Sequence, residues 1–508
     1  MKSVTPGQDV SPLQEKQKRK PLLKKSWVQT LRCFGALVFM FSTYWLLNYC
    51  AFPLFDDVSL WTREASAITG GLALILIALV SYWRPRVLRL PFLSGVITLL
   101  IAGFISMLGG LYLNSVVALF VGASLITIGI SLVAVMAGLI CITLDIRVAG
   151  LCIALAYTVS YGLRFIFTSL STEINLLLFI IIPLANFLLC NSVARPLIRK
   201  ILAADPPAET SVTAPESFLP FVHQVFVTLV IFRIIYGYSL TFAEVGRTPS
   251  LAIFALIPLL LYVSGLLVKK TALNPDVLFR ISILFSIAGF LFPLIEGGQN
   301  NMIASNLLSS GTGFFEILMY FVLVSLSAKN NMNALVVLTW GNAMASLGTI
   351  VGANLGRLVN QYYFVDHNIL STISVCIVFG LVIYVLATQH NFSFSGTIKK
   401  VEAASFIPAG ERSADFEQRL IKLGEITGLT AREHEVFALL AQGRNARFIQ
   451  EKLVVSYNTV KTHVSHIYAK LNVHTHQELI DLVEGKEPAQ KDGQNKGPSD
   501  GEPLILNK

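Results

Sequence analysis

Charge is scarce in this chain of 508 residues: Asp, Glu, Lys and Arg make up 14% of it, against 54% hydrophobic residues, and the mean hydropathy is +0.66. Soluble domains carry about 25% charged residues, so the shortage excludes an ordinary soluble protein and predicts a polytopic membrane protein with a soluble appendix. Cysteine is also sparse. Cys33, Cys50, Cys141, Cys152, Cys190 and Cys376 lie in or beside apolar runs with no C-x-x-C spacing, which favours helix packing over redox or metal roles. The eight histidines are scattered or fall between residues 428 and 485, so no metal site is expected. P-loop, Rossmann glycine pattern and kinase signature are all missing. No cofactor, catalytic residue or enzymatic activity is therefore expected.

The apolar residues are gathered into twelve runs, near 31–52, 65–83, 90–109, 114–143, 148–168, 174–193, 218–242, 250–268, 277–296, 303–327, 334–355 and 368–388. Each has roughly twenty residues or more, enough for a helix to cross a ~30 Å hydrocarbon layer. The fold class expected is all-α. Residues 1–30 form a polar, basic tail with Lys16, Lys18, Arg19, Lys20, Lys24 and Lys25 before the first run. That run is too long for a signal-peptide core and lacks a small-residue cleavage site, so it reads as an uncleaved span.

The longest internal loop, 194–217, contains AADPPAETSVTAPES, and Pro206, Pro207 and Pro215 mark it as an unstructured connector. It divides the bundle into halves of six spans, 31–193 and 218–388. Loops on one side carry Arg84, Arg86, Arg89, Arg147, Arg195, Arg199, Lys200, Lys269, Lys270 and Lys329, ten in all; the other side has only Arg63, Arg247 and Arg357. The excess of positive charge marks the cytoplasmic side. Both termini are then cytoplasmic, in the inner membrane of a bacterium. Twelve spans split this way, with a cytoplasmic middle loop, resemble the major facilitator architecture of two six-helix halves. One departure counts against ordinary transport: the loop after the second span, WRPRVLRLP, keeps the basic residues usual in that superfamily but lacks its Gly and Asp.

A charge near mid-bilayer costs about 2.5–3.5 kcal/mol on insertion scales, so each needs a partner or a purpose. Arg164 in the fifth run, Arg233 in the seventh and Glu316 in the tenth stand out. Asn306, Ser309, Gly313, Glu316 and Tyr320 recur at helical spacing on one face of the tenth run, and Tyr236 and Gly237 lie one turn from Arg233. The major facilitator resemblance implies that the seventh and tenth helices line a central cavity. Two readings stay open. Arg233 holds a carboxylate or phenolate of a small molecule whose aromatic body packs on the tyrosines, or Arg233 and Glu316 satisfy each other while small residues let helices pack closely.

The soluble appendix is organised around residues 456–471, SYNTVKTHVSHIYAKL. Val460, Val464, Ile467 and Leu471 make one apolar stripe, while Lys461, Thr462, Ser465 and Ala469 fall on another face. Ser456 can cap the first turn and leave backbone N–H groups there for a phosphate. Upstream, Thr430 and Glu433 form a capping box opening a helix with Val436, Leu439 and Leu440 that stops at Gly443. Asn445 is expected to cap a second short helix with Ile449 and Leu453 inward, and the Val454-Val455 turn sets the next helix across it. Thr475 and Glu478 form another box, opening a fourth helix with Leu479, Ile480, Leu482 and Val483.

The run LTAREHEVFALLAQGR followed by NTVKTHVSHIYAKLNVHTHQEL resembles the C-terminal four-helix DNA-binding domain of LuxR/NarL-type transcriptional regulators, over residues 428–485. The resemblance implies that the third helix enters the major groove of double-stranded promoter DNA and that the fourth forms a homodimer contact. By motif position, Lys461, Thr462 and Ser465 would face base edges, while Asn458, Thr459, His463 and Lys470 would hold or approach the backbone. Three positions depart from the family pattern: Phe448 replaces a Glu, Gln450 a small Ala, and His476 an Arg. Six basic and six acidic residues give the segment no net charge, with four of the bases in or beside the second and third helices. So few phosphate contacts imply weak binding by one copy and pairing on DNA.

Between residues 389 and 427 the chain reads as linker, apart from a short helix near 415–423 carrying Phe416, Leu420 and Leu423; residues 486–508 read as a disordered tail. There is no room for a soluble receiver domain before the helix-turn-helix. The expected function is a membrane-bound one-component transcription regulator that senses a small molecule or membrane state through its bundle. The alternative is a major-facilitator-like secondary transporter with an appended DNA- or protein-binding domain.

Overall fold

The computed structural model describes residues 12–56, 58–59, 61–89, 92–203, 206–208, 218–241, 252–269, 271–296, 302–363, 368–389, 392–401, 414–441 and 446–484. Among them there is no strand, and every predicted apolar run contains a helix. Helix α1 (Pro12–Leu46) passes through a π-helical turn, Leu47–Ala51, into α2 (Phe52–Asp56). Then come α3 (Thr62–Trp83), α4 (Phe92–Tyr112), α5 (Val116–Cys141), α6 (Ile146–Ser169) and α7 (Thr172–Ala203). The second half holds α8 (Gln224–Leu240), α9 (Leu256–Lys269), α10 (Pro275–Glu296), α11 (Met302–Lys329), α12 (Ala334–Tyr363) and α13 (Asn368–Gln389). Nine helices among the described residues are long and apolar enough to cross a bilayer; the apolar stretches at Gln224–Leu240, Ile253–Lys269 and Val375–Tyr384 are shorter.

The boundary between the sixth run and the connector shifts. The sixth run continues as α7 to Ala203, because Ala194, Ile198, Ile201 and Leu202 are buried while Arg195, Arg199 and Lys200 point outward. Residues 194–203 are thus helix, where the sequence reads as connector. Residues 204–205 and 209–217 of that loop lie outside the described residues, as do Arg247, Lys270, Gly443, Arg444, Asn445 and the predicted disordered tail.

Burial divides the helices by neighbourhood. α11 is enclosed on nearly every side, from Ala304 to Ser327, as befits a helix apolar all round and set at the middle of a bundle. α4 and α7 expose Ile101, Ile105, Ile181 and Leu188 on one flank, the pattern of helices that face lipid. Within the second half, α8 and α12 approach closely because small residues meet: Gly237 faces the Thr349 carbonyl, Gly348 the Val230 carbonyl and Gly352 the Ile234 carbonyl. A Cβ on Gly352 would fall on that carbonyl oxygen, so Gly352→Ala is expected to cost about 1–3 kcal/mol by overpacking. The check is the apparent melting temperature of detergent-purified protein; an unchanged value would mean the two helices have room to part.

The chain separates into two compact units, one holding the described residues up to 401 and the other those from 414. The first includes part of the predicted linker. Helix α14 (Phe394–Lys400) is docked on the bundle, with Phe394 1% exposed between Phe279 and Phe392. The carboxylate of Asp276, in the first turn of α10, accepts hydrogen bonds from the Ser393 hydroxyl and the Phe394 N–H, each at 2.8 Å. Its charge therefore sits at the positive ends of two helices, which stabilises both.

The second unit contains α15 (Ala414–Ile426), α16 (Ala431–Ala441), α17 (Ala446–Leu453), α18 (Tyr457–Leu471) and α19 (His476–Glu484). α15 is longer than the predicted 415–423 helix and donates Leu420 to the core, so the packed unit begins before residue 428. It ends in a Schellman motif: Leu429 N–H reaches the Gly424 carbonyl and Gly428 N–H the Glu425 carbonyl, with Gly428 at φ +64°. Val436, Phe437, Ile449, Val460, Val464, Ile467, Leu479, Ile480 and Val483 fill the middle.

Candidate nucleic-acid interface and membrane cavity

The predicted caps place α18. Ser456 has extended backbone and accepts from Thr459 N–H at 3.1 Å. Thr430 and Glu433 exchange bonds, Thr430 N–H to Glu433 Oε2 at 2.9 Å and Glu433 N–H to Thr430 Oγ1 at 3.3 Å. At α19 the second box is displaced by one residue on its return arm: Glu478 N–H reaches Thr475 Oγ1, while Glu478 Oε2 accepts from His474 N–H. Val454, 89% exposed at φ +54°, makes the sharp turn between α17 and α18, and Asn472 in the left-handed region closes α18. α18 is thus fixed at both ends before its faces are considered.

Its apolar stripe is buried as predicted, at Val460, Val464, Ile467 and Leu471. Opposite it Asn458, Lys461, Thr462 and Ser465 are exposed at helical spacing, Thr459 is exposed beside them, and His463 is half-buried. Thr462 Oγ1 donates to the Asn458 carbonyl at 3.1 Å, which fixes the side chain without occupying its outer surface. Lys470 is placed differently. Its ammonium lies 2.6 Å from Glu433 Oε2 and 3.1 Å from the Gly428 carbonyl, so its first use is to tie α18 to the start of α16. This ion pair, with the Thr430 N–H, holds the Glu433 carboxyl down at about 2. Phe448, one of the family departures, is 38% exposed with the Lys452 ammonium over its ring, so it leaves the core undisturbed.

His476, another departure, is buried, and its Nε2 lies 2.8 Å from the Leu440 carbonyl, joining α19 to α16. Burial lowers its pKa from the ordinary value of 6.5, outweighing the carbonyl's opposing effect, so the fold favours the neutral ring. Below that ordinary value the unfolded chain binds the proton more readily, and the second unit is expected to lose stability as pH falls through about 6.5. Glu433 acts in a lower window, its contribution lost only as pH drops from 4.5 towards 2. Urea midpoints of the second unit between pH 8 and 5 check this, with His476→Gln expected to flatten the curve; equal slopes would remove the assignment.

In the membrane unit, four of the seven predicted ligand residues meet at one cavity. Arg233, Tyr236, Glu316 and Tyr320 line a space of about 190 Å³, larger than the roughly 150 Å³ that admits benzene in an engineered apolar cavity. Walls come from both halves: Ala67 of α3, Thr127 and Ser131 of α5 and Tyr157 of α6 face α8, α11 and α12. Arg233 and Glu316 are paired through two parallel bonds, Nη1 to Oε1 at 2.5 Å and Nη2 to Oε2 at 2.7 Å. The two residues thus satisfy each other, as one of the two sequence readings has it, and both also form cavity wall.

The other three lie elsewhere. Asn306 is a backbone clamp, its amide donating to the Met302 carbonyl and its oxygen accepting from Ala255 N–H, and Ser309 does not line the cavity. Arg164 is caged by rings, its guanidinium carbon 4.5 Å from the centre of Tyr49, 5.1 Å from Trp45 and 5.4 Å from Tyr161. Sequence reasoning missed the first span. Phe41, Tyr44, Trp45, Asn48 and Phe52 line the cavity and recur at helical spacing, and Leu47 and Asn48 lie in the π-helical turn. That polar-aromatic stripe was the available signal, and a π turn beside a cavity is a frequent mark of a functional site. Across the halves, Arg357 pairs with Glu64 near one end of the bundle, while Phe221 packs between Tyr82 and Trp340 near the other.

Residues 427–483 match the family described as bacterial regulatory proteins, luxR family. The transcriptional activator protein ExaE of Pseudomonas putida is 42% identical over 58 residues, 11% of this chain and 27% of that one. The transcriptional regulatory protein LnrK of Bacillus subtilis (strain 168) is 50% identical over 52 residues, 10% of this chain and 24% of that one. The chain thus spans about a quarter of the length of the relatives it matches, all within the second unit. Among solved structures, a bacterial homologue of the iron transporter ferroportin in an outward-facing state gives a TM-score of 0.51 at 13% identity, covering 71% of this chain and 99% of that one. The proton:xylose symporter XylE, of the major facilitator superfamily, gives 0.48 at 12% identity over 71% of this chain and 95% of that one. Residues 427–483 are a LuxR-type helix-turn-helix domain, and the membrane unit shares its fold with the ferroportin homologue.

Proposed function

We propose that the chain is a membrane-bound one-component transcription regulator of the bacterial inner membrane, in which the bundle senses a small molecule and the C-terminal domain binds promoter DNA. The observation that carries this reading is the exposed face of α18, with Asn458, Lys461, Thr462 and Ser465 outward and uncovered among the described residues of their own unit, in one chain with a cavity-bearing bundle. A ligand that favours one arrangement of the two halves shifts the population of bundle states. α14 gives that shift a route out: it is held by Asp276 of α10 and packs on α10 and α11, and α11 also carries Glu316 of the cavity. Motion of α11 is thereby communicated to the segment that leads to the DNA-binding unit. The excess of positive charge in the loops on one side supports a cytoplasmic place for both termini, and pairing of two copies through α19 would supply the second half of the DNA contact.

Genome-wide mapping of chromatin occupancy by the full-length protein tests the proposal, with discrete promoter peaks expected in cells. An absence of peaks under every growth condition would sink it. The second reading, a transporter with an appended domain, is favoured by the placing of the cavity between the two halves, where alternating access operates. Uptake into energised vesicles separates the two, because sensing needs no accumulation of substrate.

A further inference from the structure

The cavity has aromatic walls and one pair of charges, and the pair is closed on itself. Each Nη of Arg233 is bonded to a separate oxygen of Glu316, so the fork that would grip a carboxylate is already filled. The wall is electrically neutral as a result. An anion could displace Glu316 only by leaving that carboxylate unpaired in a low-dielectric site, and a cation would strand Arg233 in the same way. Polar capacity remains on the rings and on Asn48 and Asn342, which line the same space, and Nε of Arg233 is buried without a partner. The hydroxyls of Tyr157 and Tyr236 have no hydrogen-bond partner among the described residues, and neither does Nε1 of Trp45. All three rings line the same space.

We infer that this cavity takes an uncharged aromatic molecule bearing a hydroxyl or carbonyl group, and discriminates against the corresponding carboxylate. Ring faces supply stacking surface, and the phenol hydroxyls supply directional bonds that an apolar wall lacks. Of the two readings the sequence leaves open, this sets aside the one in which Arg233 holds an anion. The inference rests on the ligand-sensing proposal above and adds the ligand's charge state.

The matched probes are 4-hydroxybenzamide and 4-hydroxybenzoate, which share a ring and a hydroxyl and differ by one charge. Equilibrium dialysis of each, isotopically labelled, against the purified full-length protein is expected to favour the amide by about tenfold. In Glu316→Gln the Arg233 fork loses its charged partner, and the order is expected to reverse in favour of the carboxylate. Ser346→Phe, which fills the cavity from α12, is expected to abolish binding of both. Preference of the unaltered protein for the carboxylate would overturn the charge assignment and leave ligand sensing standing. Binding that survives Ser346→Phe would overturn the location. Failure of both probes with the unaltered protein and with Glu316→Gln would overturn the cavity as a site for such molecules and with it the sensing proposal.

Discussion

Replacing Lys461 and Thr462 together by alanine is expected to remove promoter occupancy by the full-length protein while leaving its amount in the membrane unchanged. Both side chains are exposed on the face of α18 opposite the core, so neither change opens a cavity. Thr462 gives up only a bond to the carbonyl of its own helix. A good base contact is worth about 1–3 kcal/mol of discrimination, so the pair should cost roughly a hundredfold or more in affinity for the preferred site. Non-specific binding falls much less, because only one positive charge is lost and each phosphate contact contributes a small, salt-dependent share. Gel-shift titrations at two salt concentrations distinguish these effects. A uniform loss across all sequences would assign Lys461 to the phosphates, and unchanged promoter binding would remove α18 as the reading helix.

The second unit was legible because its signals are local. Thr430 and Glu433 are three residues apart and do exchange hydrogen bonds, and Val460, Val464, Ile467 and Leu471 need only the helical repeat to find one face. What the sequence could not display were contacts closed by the fold. Lys470 meets Glu433 across 37 positions, and His476 meets the Leu440 carbonyl across 36. Both residues look like surface candidates until helices cross. The membrane unit follows the same rule at greater distance: apolar runs announced the helices, while the polar-aromatic stripe of the first span acquires meaning only when α8, α11 and α12 pack against it. The docked α14 was hidden for another reason. Its sequence is polar and short, and what holds it is Asp276, 118 positions earlier.

Arg233→Ala is expected to be more damaging to the membrane unit than any neutral change in the same wall. It leaves Glu316, whose side chain is 15% exposed, without its counter-ion, and breaking one member of a buried pair costs about 3–5 kcal/mol. The cation–π contact with Tyr236, at 5.3 Å, is lost as well. Replacing both partners by apolar residues of similar volume, as in Arg233→Met with Glu316→Leu, removes the stranded charge and should recover most of the loss. Apparent melting temperatures in detergent for the two single variants and the double variant give the comparison. Strong loss in each single with recovery in the double means the charges stabilise only as a pair. A double variant that is folded, reaches the membrane and still occupies its promoters but no longer responds to ligand would show that the pair serves recognition beyond stability. Full response from that variant would reduce Arg233 and Glu316 to a structural clasp, leaving the tyrosines and Trp45 to define the site.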